Sequence, residues 1–202
     1  MDNYINNKGL RNKRLYDIFL HYLKLHDKPL IYISIGNVCN SSVYCTKNKL
    51  KPTKKEGYKT CPFDLMVSNI NGIIKCFNED FKDFLNPDFL KFTEPDLLIH
   101  TKYGFSFNHE VPINKMPNGN TVNIYEEQKW AEGPKHFIKD NFKNFINRYT
   151  DRINNLKYYC NNYKINFVLE YYYDKKNEKQ LDELKNSIKK RFPDLIFDIV
   201  II

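Results

Sequence analysis

The chain has 202 residues, a formal net charge of +8, and 42% hydrophobic and 15% aromatic residues. That size and apolar content are sufficient for one well-packed core, so a second domain is not required. No stretch approaches the roughly 18 consecutive apolar residues that a membrane-spanning helix needs. The sequence also lacks the glycine-rich motifs that bind nucleotides. We therefore expect no membrane-spanning helix, and there is no sign of a nucleotide enzyme.

The positive charge comes from lysines that are dispersed along the chain, without an arginine-rich arm or a ladder of alternating basic and aromatic residues. This distribution does not favour nucleic-acid binding. The five cysteines are an odd number, and the first twenty residues contain no apolar signal-peptide core. We therefore expect free thiols and a cytoplasmic, reducing location. The abundance of Asn, Lys, Ile, Phe and Tyr is typical of AT-rich genomes, which fits either a large DNA virus or a low-GC bacterium. For a viral chain, the expected location is the host cytoplasm.

Hydrophobic periodicity and turn residues predict the elements in chain order. The first part has a polar, flexible N-terminus over 1–12, a helix over 15–25 and a strand over 30–35, followed by helices over 39–49, 63–67 and 73–84 with a break at Asn71-Gly72. The middle over 86–120 is rich in turns, and apolar and polar residues alternate within it over 105–109. The last part has a helix over 134–159, a strand over 165–173, a helix over 178–191 and a strand over 196–202. This order predicts an α/β fold with a single domain over 13–202, in which helices flank a largely parallel or mixed sheet.

The most informative feature is Cys39, which comes three residues after Gly36 ends the first predicted strand. Functional groups of α/β proteins gather at the carboxyl ends of strands. A cysteine at the amino end of a helix also benefits from the positive end of the helix dipole, which favours the nucleophilic thiolate. The alternative is that Cys39 is a small buried side chain, the role that we expect for the other four cysteines.

His109 is the candidate base for this thiol because Phe105, Phe107 and His109 share one face of the alternating segment. The base would need a ring nitrogen within about 3 Å of the thiol and an acceptor for its other nitrogen. Glu110 is adjacent but points the opposite way on a strand, and further carboxylates are those of Asp64, Glu170 and Asp198. The alternative is that His109 is a core residue that closes an apolar strand.

Asp64 has a structural alternative as well, because an aspartate that opens a helix accepts a backbone hydrogen bond and contributes about 1 kcal/mol. Asn37 and Ser34 are the polar side chains that could support the site, and the amide of Cys39 could help to form an oxyanion hole. The cysteine spacings contain no Cys-x-x-Cys pair, and the histidines contain no His-x-x-x-His pair, so the sequence predicts neither a metal nor another cofactor.

Four segments carry a recognisable pattern, namely Ser34-Ile35-Gly36-Asn37-Val38-Cys39, Pro62-Phe63-Asp64-Leu65, Glu79-Asp80-Phe81 and Tyr103-Gly104-Phe105 leading to His109-Glu110. Together they resemble a family of unknown function, found in bacteria and large DNA viruses, that is described as papain-like cysteine peptidases. The resemblance covers about residues 30–170 and implies Cys39 as nucleophile, His109 as base and Asp64 as part of a signature element. Leu65 stands where the family usually has Trp, and Glu110 where it often has Asp.

These observations predict a cysteine-dependent hydrolase that acts on an amide, isopeptide or ester bond of a protein or peptide substrate. An alternative is a binding or host-interaction module that keeps the fold without turnover. A third possibility is an esterase that uses Ser34, Ser41 or Ser42, although the chain has no Gly-x-Ser-x-Gly motif.

Overall fold

The computed structural model describes residues 2–93, 97–107, 113–115, 121–123, 140–171 and 178–202. Its helices are α1 (Asp2–His26), α2 (Asn40–Lys47), α3 (Ile70–Asn78), α4 (Lys143–Asn162) and α5 (Glu178–Arg191). Its strands are β1 (Leu30–Ser34), β2 (Leu90–Thr93), β3 (Leu97–His100), β4 (Phe105–Ser106), β5 (Ile113–Lys115), β6 (Thr121–Asn123), β7 (Lys164–Leu169) and β8 (Phe197–Ile201). Short 3-10 helices lie at Lys54–Glu56, Pro62–Leu65 and Pro87–Phe89.

A parallel sheet with the strand order β1-β7-β8 forms the centre of the fold. Leu30 pairs with Lys164 in the register of β1 and β7, and Ile165 pairs with Phe197 in that of β7 and β8. The middle strand is buried along most of its length, as expected for a strand that is covered on both faces. Helices α2 and α4 contact β7.

A second, antiparallel sheet has the order β2-β3-β4, and β5 pairs with β6. The fold is therefore a mixed α/β single domain, which confirms the fold class that the sequence predicts. Within the predicted alternating segment over 105–109, Phe105 and Phe107 are both buried, and positions 108 and 109 lie outside the described residues. Val67 forms an isolated bridge with Ser106, which connects this sheet to the segment after the Pro62–Leu65 turn.

Aromatic rings join the elements in the core. The ring of Phe77 on α3 has centroid distances of 6.4 Å to Phe63, 6.3 Å to Phe167 on β7 and 6.4 Å to Phe192 after α5. Phe63 also meets Phe105 edge to face at 6.0 Å. The Pro62–Leu65 turn is thus fixed between α3 and the antiparallel sheet.

Gly72 corrects one prediction, because Asn71 and Gly72 lie inside α3 and do not break it. Asn69 caps this helix and accepts a hydrogen bond of 2.8 Å from the Gly72 N–H. A Cβ atom at Gly72 would come within 2.3 Å of the Tyr103 carbonyl oxygen. The glycine therefore allows the helix to approach the chain before β4, a tertiary requirement that sequence-based turn rules cannot distinguish from a helix break.

Helix α1 extends the predicted helix over 15–25 in both directions. The apolar residues whose spacing predicts this helix face solvent, with Leu15 58%, Ile18 57%, Phe19 55% and Tyr22 54% exposed. The flexible N-terminus over 1–12 remains a prediction, because a helical backbone by itself does not measure flexibility. In the described parts of the chain, no helix combines the length and apolar character that crossing a membrane requires.

Candidate active site

The connection between β1 and α2 carries Cys39 beyond the carboxyl end of the first strand. Cys39 is the N-cap residue of α2, its side chain is half-buried, and its thiol forms no capping hydrogen bond. Its own carbonyl accepts a bond of 3.0 Å from Val43 in the first turn of the helix. Among the described residues, no hydrogen bond involves the Cys39 N–H, so this amide is free to bind a further acceptor.

Two serines fix the turn that leads to Cys39. The hydroxyl of Ser41 donates to the Gly36 carbonyl at 2.6 Å, and it lies 2.9 Å from the hydroxyl of Ser34. Both side chains are completely buried. Ser34 is therefore engaged in holding the turn, and neither serine is accessible to a substrate carbonyl.

Gly36 itself adopts a left-handed backbone conformation with φ of +115°, and its peptide bond to Asn37 is cis. A Cβ atom at this position would lie 1.9 Å from Ser68 Oγ. The exposed Asn37 is fixed through its backbone, since the Asn37 carbonyl accepts a bond of 2.7 Å from the Ser68 N–H. The close packing of Ser68 against the turn thus requires glycine at position 36.

Glu170 reaches the same turn from the neighbouring strand. Its N–H donates to the Gly36 carbonyl at 3.1 Å, directly after the end of β7. Its Oε1 accepts a hydrogen bond of 3.2 Å from Asn40 Nδ2, and Asn40 follows Cys39 in the chain. Its Oε2 is buried and has no hydrogen-bond partner among the described residues. Glu170 therefore places a carboxylate beside the residue next to Cys39.

Asp64 belongs to a buried polar cluster that supports α2 from another side. Asp64 Oδ1 lies 2.8 Å from Lys51 Nζ and 3.1 Å from Ser42 Oγ, while Asp64 Oδ2 accepts bonds of 2.9 Å from the Tyr58 hydroxyl and 2.8 Å from the Cys61 N–H. Asp64 is the third residue of the Pro62–Leu65 turn rather than its cap. These four donors occupy both oxygens of the carboxylate.

The other four cysteines are buried, in contrast to Cys39. Burial raises the pKa of Cys45 to about 11 and raises the pKa values of Cys61, Cys76 and Cys160. Low-polarity surroundings disfavour a charged thiolate, so these thiols remain protonated near neutral pH.

The histidines of the described residues are engaged away from this turn. His100 is completely buried, its Nε2 lies 3.0 Å from the Asp83 carbonyl, and its Nδ1 accepts a bond of 3.3 Å from the Tyr103 N–H. His26 contacts the carbonyl of Tyr22, and His21 lies 3.8 Å from Asp194. His109 and Glu110, together with His136, lie outside the described residues.

Among the sequence-predicted site residues, the structure thus brings Cys39, Asn37 and Ser34 together in one turn and places Asp64 in the cluster that packs against α2. Asn40 and Lys51 were not predicted, and Glu170 was named only as one of several carboxylates. The sequence analysis places Glu170 inside the predicted strand over 165–173, whereas β7 ends at Leu169. Its position at the carboxyl end of a parallel strand, where functional groups gather, is therefore a result of the structure. In the part of the chain that the structure describes, no three metal-ligating side chains converge, and the expectation of a site without metal remains a prediction.

A family model described as "Putative papain-like cysteine peptidase (DUF1796)" matches residues 30–202 of the chain. The match includes β1, the turn around Cys39 and the closing strand β8, and it leaves α1 outside. Neither a curated protein nor a solved structure gives a significant match.

Proposed function

Because this chain belongs to the family described as "Putative papain-like cysteine peptidase", we propose that it is a cysteine-dependent hydrolase of an amide, isopeptide or ester bond in a protein or peptide. The observation that carries the proposal is the position of Cys39, half-buried at the amino end of α2 and just beyond the carboxyl end of β1. Functional groups of α/β proteins gather at this end of parallel strands.

The reaction has two steps. The sulfur of Cys39 attacks the substrate carbonyl carbon, and His109, which took the thiol proton, gives it to the leaving amine or alcohol. Water then attacks the resulting thioester, its proton passes to the imidazole, and the carboxylic acid leaves as the thiol is restored. The unbonded N–H of Cys39 supports a role in holding the oxyanion. No cofactor takes part in this scheme.

The supporting residues have different parts in the proposal. Ser34 and Asn37 act by fixing the turn through the hydroxyl of Ser41 and the N–H of Ser68, which keeps Cys39 at the helix end. Glu110 and Asp64 are the carboxylates proposed from the sequence to orient His109. The filled hydrogen-bonding capacity of Asp64 favours a structural role for that residue.

Location is also a proposal. The five cysteines are free, which fits a reducing compartment. We place the protein in the cytoplasm, that of the host cell for a viral chain.

Alkylation of Cys39 tests the proposed site without a known substrate. The rate of iodoacetamide labelling, followed by peptide mass spectrometry from pH 5 to pH 9, reports the thiolate fraction of Cys39. We expect labelling below pH 7 in the wild type, and a shift of the profile to higher pH in His109→Ala because the imidazolium no longer stabilises the thiolate.

His136→Ala is the matched control, since His136 also lies outside the described residues and is not proposed as the base. The control should leave the profile unchanged. A wild-type profile that rises only near pH 8.5, the ordinary value for a cysteine, and that His109→Ala does not move would overturn the hydrolase and favour a binding module. A shift in His136→Ala alone would reassign the base.

A further inference from the structure

Glu170 presents a carboxylate oxygen that the described structure leaves unexplained. Its Oε1 is bound by Asn40, yet its Oε2 is buried and accepts no hydrogen bond. No Lys or Arg of the described residues forms an ion pair with it. Burial of a carboxylate oxygen without a hydrogen-bond partner costs folding free energy. Such a group therefore suggests a functional role.

The position of Glu170 indicates what this role is. The residue follows β7 directly, and its N–H binds the Gly36 carbonyl in the turn before Cys39. Its side chain is fixed by Asn40, the first residue of the helix that Cys39 caps. The free oxygen therefore lies at the edge of the sheet where the nucleophile of the proposed hydrolase lies.

We infer that Glu170 is the positioning residue of this site, whose Oε2 accepts a hydrogen bond from the second ring N–H of the imidazole that serves Cys39. The inference rests on the proposed function, in which that imidazole belongs to His109. An acceptor of this kind fixes the ring orientation and stabilises the imidazolium that forms when the thiol gives up its proton.

Glu170 is better suited to this part than Asp64. Four donors already engage the oxygens of Asp64, and its side chain is only 3% exposed. Glu170 has one engaged oxygen and one free oxygen. An orienting carboxylate needs a lone pair for the imidazole, and of these two residues only Glu170 retains one.

The test is the pH profile of Cys39 alkylation in Glu170→Gln. Glutamine keeps an oxygen that can accept the bond from Asn40, so the substitution removes the charge with little change in shape. Loss of the carboxylate destabilises the imidazolium and with it the thiolate, and we expect the profile to move to higher pH by roughly 1 unit. Glu170→Asp keeps the charge and should move it less. Glu183→Gln, at an exposed residue on α5, is the charge-matched control and should not move it.

The direction of the shift separates the possible outcomes. A shift to lower pH in Glu170→Gln would mean that the carboxylate only repels the thiolate, and an absent shift would mean that Glu170 does not act on the pair; either result overturns the inference. If His109→Ala still shifts the profile in that case, the proposed function stands without Glu170. If the wild type itself titrates as an ordinary thiol, both proposals fall together. Circular dichroism establishes that each variant is folded.

Discussion

The ammonium group of Lys51 lies 2.8 Å from Asp64 Oδ1, and the two side chains are only 4% and 3% exposed. Tyr58 and the Cys61 N–H bind the other carboxylate oxygen, and burial raises the pKa of Tyr58 well above its ordinary value. The pair thus connects the loop after α2 with the Pro62–Leu65 turn. A buried ion pair that is so fully hydrogen-bonded holds the local fold together, and breaking it leaves a charge without compensation.

The first prediction concerns this pair. Asp64→Ala should lower the free energy of unfolding by about 3–5 kcal/mol, because Lys51 then remains buried without its partner. Urea denaturation measures the change. The matched control is Glu183→Ala, which removes the partner of Lys179 in an exposed pair with a separation of 3.8 Å. Loss of an exposed pair should cost about 0–1 kcal/mol, and similar costs for the two variants would contradict the structural role of Asp64.

The second prediction concerns the cysteines of the native protein. Iodoacetamide at pH 7 should label Cys39 and spare the other four, whose burial limits access and raises their pKa values. In urea all five should react. Peptide mass spectrometry gives the ratio of labelling in the two conditions. Native labelling of Cys45 at a rate comparable with that of Cys39 would contradict the packing described here.

A comparison between different cysteines reports burial, since Cys39 would lead even as an ordinary thiol. Activation by a base is visible only in the pH dependence of Cys39 itself and in how His109→Ala and Glu170→Gln change it.

The sequence predicts the fold well where periodicity is strong. The predicted helix over 178–191 coincides with α5, and the closing strand over 196–202 contains β8. The predictions fail where tertiary contacts decide, as at Gly72, whose missing Cβ allows close packing. The placement of Cys39 at a helix end follows from local patterns. The bonds of Glu170 to Gly36 and Asn40 span more than 100 positions, so only the sheet order could reveal them.

The third prediction concerns His100 and pH. Its Nδ1 accepts from the Tyr103 N–H, so the proton of the neutral ring is on Nε2 and is donated to the Asp83 carbonyl. Burial lowers the pKa of His100 in the folded protein. Between that value and about 6.5 the unfolded chain binds a proton that the folded chain does not. Stability from this group is therefore fully present above about pH 6.5 and is lost as pH falls through the window below it.

His100→Gln removes this titration and should give a flatter dependence of the unfolding free energy on pH between pH 5 and pH 7, even if the variant is less stable overall. Urea denaturation at several pH values measures both slopes. The lowered pKa values of Glu79 and Asp83, caused chiefly by hydrogen bonds from Lys102, keep the titration of these carboxylates below the window. Equal slopes in the two proteins would show that His100 does not titrate differently on unfolding.

The fourth prediction separates two costs at Gly36. Gly57 and Gly36 both have positive φ values, +97° and +115°, but a Cβ atom at Gly57 would meet nothing within 4 Å, whereas at Gly36 it would lie 1.9 Å from Ser68 Oγ. Gly57→Ala should therefore cost only the backbone strain, about 1–2 kcal/mol. Gly36→Ala should cost about 1–3 kcal/mol more, because the buried Ser68 must shift.

The double variant Gly36→Ala with Ser68→Ala identifies the source of the extra cost. Removal of Ser68 Oγ relieves the closest contact, although Ser68 Cβ would remain at 3.2 Å, so part of the lost stability should return relative to Gly36→Ala alone. The same turn carries Cys39, and the shift that Gly36→Ala forces should also slow its alkylation at pH 7, whereas Gly57→Ala should not. Equal stability and equal labelling in the two single variants would mean that Ser68 moves aside without disturbing the turn. The close contact between Gly36 and Ser68 would then not be required to position Cys39.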